Sequence, residues 1–124
     1  MAFIFLDTET TGFRTSDEIL QLSIIDDEAN VLFDKYFKPE HNDSWPGAEQ
    51  VNHISPDMVA DKGRFIDSKK EIEKILTDAD LIVGYNLQFD IRMLKQNGIK
   101  FTEDYKLCDI MLPFAAIYKE PDPK

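Results

Sequence analysis

The stretch Ala2-Phe-Ile-Phe-Leu-Asp-Thr-Glu-Thr-Thr-Gly12 decides how the chain folds. Its apolar run, Ala2 to Leu6, carries no charge and ends at Asp7, as expected of a short central strand covered on both faces. It falls far short of the roughly 20 apolar residues that a membrane span needs. No basic residue precedes it, so it does not read as a signal peptide, and no membrane partner is expected. In an extended chain, residues two apart project to one side. Asp7 and Glu9 therefore stand together, with Thr8 facing away.

Working outward, Glu18 to Asp26 alternates, with Leu20, Leu22 and Ile24 on one face and Gln21 and Ser23 on the other, the pattern of a half-buried strand. Asp27-Glu-Ala-Asn30 fits a hairpin connection, and Val31 to Phe37 then places Val31, Phe33 and Phe37 on one face. Lys38 to Gly47 reads as a loop, with short helices after it. Ser55-Pro56 looks like an N-cap followed by proline at the first helical position, and Ser68-Lys-Lys-Glu71 like a capping box that turns Ile72, Ile75 and Leu76 inward. Asp80 to Gly84 returns as a buried strand. A helical pattern through Phe89, Met93 and Leu94 follows directly and closes at Asn97-Gly98. One more short strand is expected within Ile99 to Cys108, then a helix from Asp109. The order βββ-α-β-α-β-α gives an α/β fold: one mixed sheet of about five strands, an antiparallel meander plus parallel strands, with helices on both faces.

Length and charge bound the partners. The 124 residues make one domain, and 14 basic against 24 acidic side chains leave a net charge of −10. That balance argues against affinity for nucleic acid through a broad basic face, but it does not exclude a protein that holds cations. The single cysteine, Cys108, cannot form an internal bridge, and a reducing, cytoplasmic setting is the expectation.

Two carboxylates forced together at Asp7 and Glu9 repel unless a divalent cation lies between them, and oxygen ligands of this kind suit Mg²⁺ or Mn²⁺. Thr10, Thr11 and Gly12 offer hydroxyls and backbone N–H groups beside them, where a phosphate oxygen could be received. A third carboxylate, Asp90, opens the helix after the second apolar strand and reaches the tip of the first if the two strands are neighbours. Asn86 and Gln88 supply amides nearby. Singly, each acid has a plainer explanation, as a polar strand end or a first-turn complement to a helix dipole.

In order, Phe5-Leu-Asp-Thr-Glu-Thr-Thr-Gly-Phe13, Glu18-Ile-Leu-Gln-Leu-Ser23, Val51-Asn-His-Ile-Ser55 and Ile82-Val-Gly-Tyr-Asn-Leu-Gln-Phe-Asp90 resemble the DEDD, or DnaQ-like, 3′–5′ exonucleases. This superfamily includes the proofreading subunit of DNA polymerase III, exonuclease X and RNase T. The likeness runs from residue 3 to about residue 118 and implies an RNase H-like fold and a two-metal phosphodiesterase. By that resemblance Asp7 and Glu9 hold one cation and bridge to a second, held by Asp90, with the two ions about 4 Å apart. Thr8, Thr10, Thr11, Gly12 and Phe13 receive the 3′-terminal nucleotide of single-stranded DNA or short RNA, Phe13 serving either as an aromatic wedge or as plain core. Asn86 orients Asp90 or the substrate. A polymerase or another protein is the implied partner.

The resemblance breaks at its third motif, a further aspartate preceded by His five positions earlier or Tyr four positions earlier. His41 and His53 lack that spacing. Tyr105 to Asp109 and Tyr118 to Asp122 have the tyrosine spacing, but Asp109 reads better as a helix N-cap, and Pro121 spoils a helical pairing at Asp122. The expectation is an exonuclease domain over residues 1–124 that is incomplete at its C-terminus and weak or inactive in hydrolysis. The alternative is a non-catalytic module of the same fold that binds nucleic-acid ends, nucleotides or a protein.

Overall fold

The computed structural model describes residues 2–101 and 106–110. The five expected strands are present: β1 (Phe3–Thr10), β2 (Ile19–Asp26), β3 (Val31–Tyr36), β4 (Leu81–Gly84) and β5 (Leu107–Asp109). They form one sheet in the order β3-β2-β1-β4-β5, antiparallel through the meander and parallel from β1 to β4 and β4 to β5. The helices are α1 (Pro46–Asn52), α2 (Pro56–Val59), α3 (Lys69–Asp78, entered through a 3-10 turn at Phe65–Ser68) and α4 (Leu87–Gln96). The helix expected after Asp109 lies outside the described residues. Among the described residues no helix is long and apolar enough to cross a membrane.

Register explains which faces are buried. Ile4 and Leu6 of β1 share a face with Ile24 of β2 and Ile82 of β4, and this face packs on Ile72 and Leu76 of α3 and on Leu87, Ile91 and Leu94 of α4. Each such side chain contributes about 1.5–3 kcal/mol by leaving water. β1 is central, as expected, but among the described residues its other face is less well covered, and Phe5 is 38% exposed. Val31 also departs from expectation and is 67% exposed. A bulge at Ile24/Ile25 pairs Phe33 with Ile24 but Val31 with Ile25, taking Val31 out of the inward alternation.

Two helix starts also differ. Helix α1 begins at Pro46, inside the stretch read as loop, because proline there occupies the first helical turn. Ser68 makes no side-chain cap bond, since the 3-10 turn runs straight into α3. Ser55 does cap α2, accepting from the Met58 N–H at 3.3 Å.

The β4-α4 connection positions the site. A Cβ on Gly84 would lie 2.8 Å from Leu87 Cδ1 and 3.2 Å from the Leu6 carbonyl oxygen, so a larger residue would push the turn away from β1. Asn86 follows in the left-handed region at φ 57°. The N–H groups of Asn86 and Leu87 donate to the Asp109 carboxylate at 2.9 and 3.0 Å. Asp109, read from sequence as an N-cap for its own helix, thus satisfies the start of α4 from the neighbouring strand.

Candidate active site

At the C-terminal end of β1 the side chains alternate as expected: Asp7 keeps much of its surface in solvent, Thr8 is buried and Glu9 is half-buried. Asp90, in the first turn of α4, is 3% exposed. Its Oδ1 accepts the Thr8 hydroxyl at 2.6 Å, and its Oδ2 is buried with no hydrogen-bond partner among the described residues. Burial pushes the Asp90 carboxyl up to about 7; the Thr8 bond opposes this, and the charges of Asp7 and Glu9 add to it. Burial also raises Asp7, and burial together with the Asp7 charge raises Glu9. Three carboxyls on two elements therefore sense one another at the strand tip, and all three resist ionising there.

From Thr11 the chain makes a turn whose polar groups are largely used internally. The Thr10 hydroxyl donates to the Gly12 carbonyl at 2.9 Å, and Thr11 Oγ1 donates to Asp17 Oδ1 at 2.7 Å while accepting the Glu18 N–H at 3.0 Å. Asp17 Oδ2 takes the Arg14 N–H at 2.8 Å. Gly12 is required because a Cβ there would fall 2.5 Å from Asp17 Oδ2. Glu18, itself buried, accepts the N–H groups of Glu40, His41 and Asn42 and the Asn42 amide at 2.7–3.0 Å, which pins the 40–42 loop beside the turn.

Together these segments enclose a cavity of about 850 Å³, lined by Thr8 to Arg14, by Asn42, Ser44 and Trp45, and by Val51, Asn52 and Phe89 among others. Its volume suits a nucleotide-sized ligand. Asn52 joins the segments by donating its amide to the Thr10 carbonyl at 3.1 Å. Phe13 is not core: it is 79% exposed, and its ring meets Phe89 edge-on at 5.5 Å.

Thr8, Glu9, Thr10, Thr11, Gly12 and Phe13 all border this cavity; Asp7 and Asp90 do not line it, and Asp90 meets its wall through the Thr8 hydroxyl. Three sequence expectations need correction. Thr8 faces inward and serves Asp90 rather than a ligand, because its hydroxyl is committed there. The hydroxyls of Thr10 and Thr11 are committed to the turn and are not on offer to a phosphate. Asn86 does not line the cavity, and among the described residues its side chain makes no hydrogen bond, so the orientation of Asp90 comes from Thr8. Tyr118 and Asp122 lie outside the described residues, as does Tyr105.

Val51, Asn52 and Phe89 were not assigned from sequence. Val51, a valine left 80% exposed at the end of α1, is visible only once the helix boundary is known. Trp45 lines the cavity but is 5% exposed, with its indole N–H on the Ile54 carbonyl at 2.7 Å, so it is a wall and not a stacking surface.

Among the described residues no three carboxylate, imidazole or thiol groups are gathered into a set that could hold a metal ion on their own. The donor chemistry nonetheless fits divalent cations shared with a substrate: hard oxygens only, an Asp90 oxygen buried without a partner among the described residues, and three carboxyls held above their ordinary pKa by burial and, for Glu9 and Asp90, by neighbouring negative charge.

Residues 4–120 match the RNase T family, described as exonuclease. The DNA polymerase III subunit epsilon of Treponema pallidum (strain Nichols) is 28% identical over 98 residues, which cover 76% of this chain and 45% of that protein. The interferon-stimulated gene 20 kDa protein of Mus musculus is 28% identical over 101 residues, 80% of this chain and 33% of that protein. Among solved structures, exonuclease I of E. coli in complex with an oligonucleotide superposes with a TM-score of 0.78 at 26% identity, over 94% of this chain and 30% of that one. The chain thus spans less than half the length of these relatives.

Proposed function

Because the chain belongs to the RNase T family of exonucleases, we propose that it carries the metal-binding and nucleotide-binding part of a 3′–5′ exonuclease site acting on single-stranded DNA or short RNA. The observation that carries this reading is Asp90, buried with one oxygen unpartnered and coupled to Asp7 and Glu9, beside a nucleotide-sized cavity. Asp7 and Glu9 would hold one cation and Asp90 a second, Mg²⁺ or Mn²⁺ in each case. When bound, such ions supply an activated water and stabilisation of the leaving 3′ oxygen.

The remaining tasks belong to the chain itself. Thr8 fixes the rotamer of Asp90, and Gly12 and Phe13 offer backbone and an exposed ring to the terminal nucleotide. Arg14 is the basic residue among the described residues lining the cavity and suits a phosphate. The likeness to a polymerase subunit favours a polymerase or another protein as partner, and the lone Cys108 favours a cytoplasmic setting. We take residues 1–124 as one exonuclease-like domain.

The chain holds no His-x-x-x-x-Asp sequence, so these residues alone are expected to hydrolyse weakly. That same feature favours, as second reading, a module that binds strand ends without cleaving them. Calorimetric titration with Mn²⁺ on the wild type, Asp7→Ala and Asp90→Ala tests the metal site, and identical heats in all three would sink it. Degradation of a 5′-labelled single strand into a ladder shortened from its 3′ end, lost in Asp7→Ala, separates the enzyme from the module.

A further inference from the structure

The Phe13 ring stands 79% exposed on an irregular turn, where a side chain would ordinarily sample many orientations. Here one helix holds the turn from outside. Arg92 Nη2 donates to the Phe13 carbonyl at 2.8 Å, and Gln96 Nε2 donates to the carbonyls of Arg14 and Asp17 at 2.9 and 3.0 Å. Arg92 Nη1 also donates to Gln96 Oε1 at 3.3 Å, which joins the two clamps. The ring is held too: its edge-on partner Phe89 carries the Arg92 guanidinium 5.4 Å from its centroid. Residues 89, 92 and 96 follow the three- and four-residue spacing that aligns side chains along one stripe of a helix. Asp90 belongs to the same helix, so the carboxylate and the exposed ring share one rigid frame.

We propose that Arg92 and Gln96 are positioning residues that hold Phe13 as a preset platform on which the base of the 3′-terminal nucleotide stacks. The proposal rests on the exonuclease reading above and deepens it. A platform already ordered before binding loses less entropy when a base lands on it, so its stacking shows more fully in affinity. Gln96 is suited to the role because its amide nitrogen is a double donor aimed at two carbonyls, which neither a carboxylate nor an apolar side chain can replace.

The test uses the full chain with Ca²⁺ present. Fluorescence anisotropy follows a labelled oligothymidylate ending in a normal 3′ nucleotide and the same strand ending in a 3′ abasic residue, which keeps sugar and phosphate but has nothing to stack. The wild type should prefer the normal end by roughly 5- to 100-fold, and Phe13→Ala should remove that preference. Gln96→Glu, which turns the donor into an acceptor facing two carbonyls, and Arg92→Met should each cut the preference several-fold while affinity for the abasic strand stays within about two-fold. Gln96→Ala is the substitute should Gln96→Glu fail to give a wild-type thermal melt.

An unchanged preference in the folded variants, or equal weakening on both strands, overturns the proposal. Wild-type protein that binds both strands equally overturns the platform and leaves the metal site standing. Wild-type protein that binds neither strand, or an Asp90→Ala variant that binds both like wild type, overturns the exonuclease reading and the platform with it.

Discussion

Replacing Asp90 by Asn should stabilise the metal-free protein at pH 8 and weaken its response to divalent cations. The substitution keeps the shape and lets the side-chain oxygen go on accepting the Thr8 hydroxyl, but it removes the titrating proton. The Asp90 carboxyl holds its proton to about pH 7 when folded and would release it near 3.8 when unfolded. Below pH 3.8 both states are protonated and the group contributes nothing. Between those values the folded state binds more protons, so stability falls as pH rises, and above pH 7 the whole cost is present. At 1.36 kcal/mol per pH unit the ceiling is about 4 kcal/mol. Relaxation around a strand tip close to solvent makes roughly 2 kcal/mol the expected gain. For a chain of 124 residues that raises the melting temperature by about 6–10 °C at pH 8, with no gain at pH 4. Scanning calorimetry in EDTA from pH 4 to 8 measures it, and adding Mn²⁺ should then raise the melting temperature of the wild type more than that of the variant. The raised carboxyls of Asp7 and Glu9 are present in both proteins, so the difference isolates Asp90. Parallel pH profiles, or a variant less stable at pH 8, would refute the reasoning.

Thr8→Val leaves both Asp90 oxygens without a partner and should cost about 1–3 kcal/mol in urea denaturation, with Mn²⁺ binding moved to higher pH. Glu18→Gln sets an amide among four donors and should cost about 2–3 kcal/mol at pH 7. Burial raises the Glu18 carboxyl, but its hydrogen bonds outweigh burial and leave it lowered. Its stabilisation is therefore present above pH 4.5 and fades as pH falls through the folded value, and the gap to wild type should close in acid denaturation curves. Gly12→Ala drives a methyl into Asp17 Oδ2 and should cost about 1–3 kcal/mol in thermal melts while weakening oligonucleotide binding in anisotropy.

Strand positions were legible because the alternation at Leu20, Leu22 and Ile24 records burial directly and the unbroken apolar run before Asp7 marks a strand, although that run overstates burial at Phe5, which is 38% exposed. The pairing of Asp7 with Glu9 needed only the two-residue period of a strand. What the chain order cannot record is contact between distant segments. The bulge that exposes Val31, the Thr8 bond to Asp90 across 82 positions and the reach of Asp109 to the start of α4 all depend on which strands become neighbours. The threonines of the turn depend on such contacts too. Their hydroxyls suggested a phosphate site because nothing in the sequence announces that Asp17 and the Gly12 carbonyl already occupy them. Phe13 was undecidable for the same reason, since its exposure follows from the clamp on its turn rather than from its own hydrophobicity.

The acidity of the chain yields to the same kind of accounting. A charge of −10 weighs against polyanion binding only if the acids form a surface field, and many of them have local work. Asp17, Glu18, Asp26, Glu73, Asp80 and Asp109 each accept backbone N–H groups at turns, loops or helix starts, where a carboxylate is the stronger acceptor. These charges are the means by which a short chain with few buried polar alternatives satisfies its irregular backbone. The acids at the strand tip differ in kind. Asp90 has a buried oxygen that no N–H of the described residues reaches, and it is pressed upward in pKa by burial and by its two neighbours, so the described fold leaves it under-neutralised. Positive charge brought to that point would lower the cost of all three carboxyls together. Within one acidic sequence, then, the distinction between structural and functional acids lies in whether the protein supplies the hydrogen bonds, and at Asp90 it withholds one.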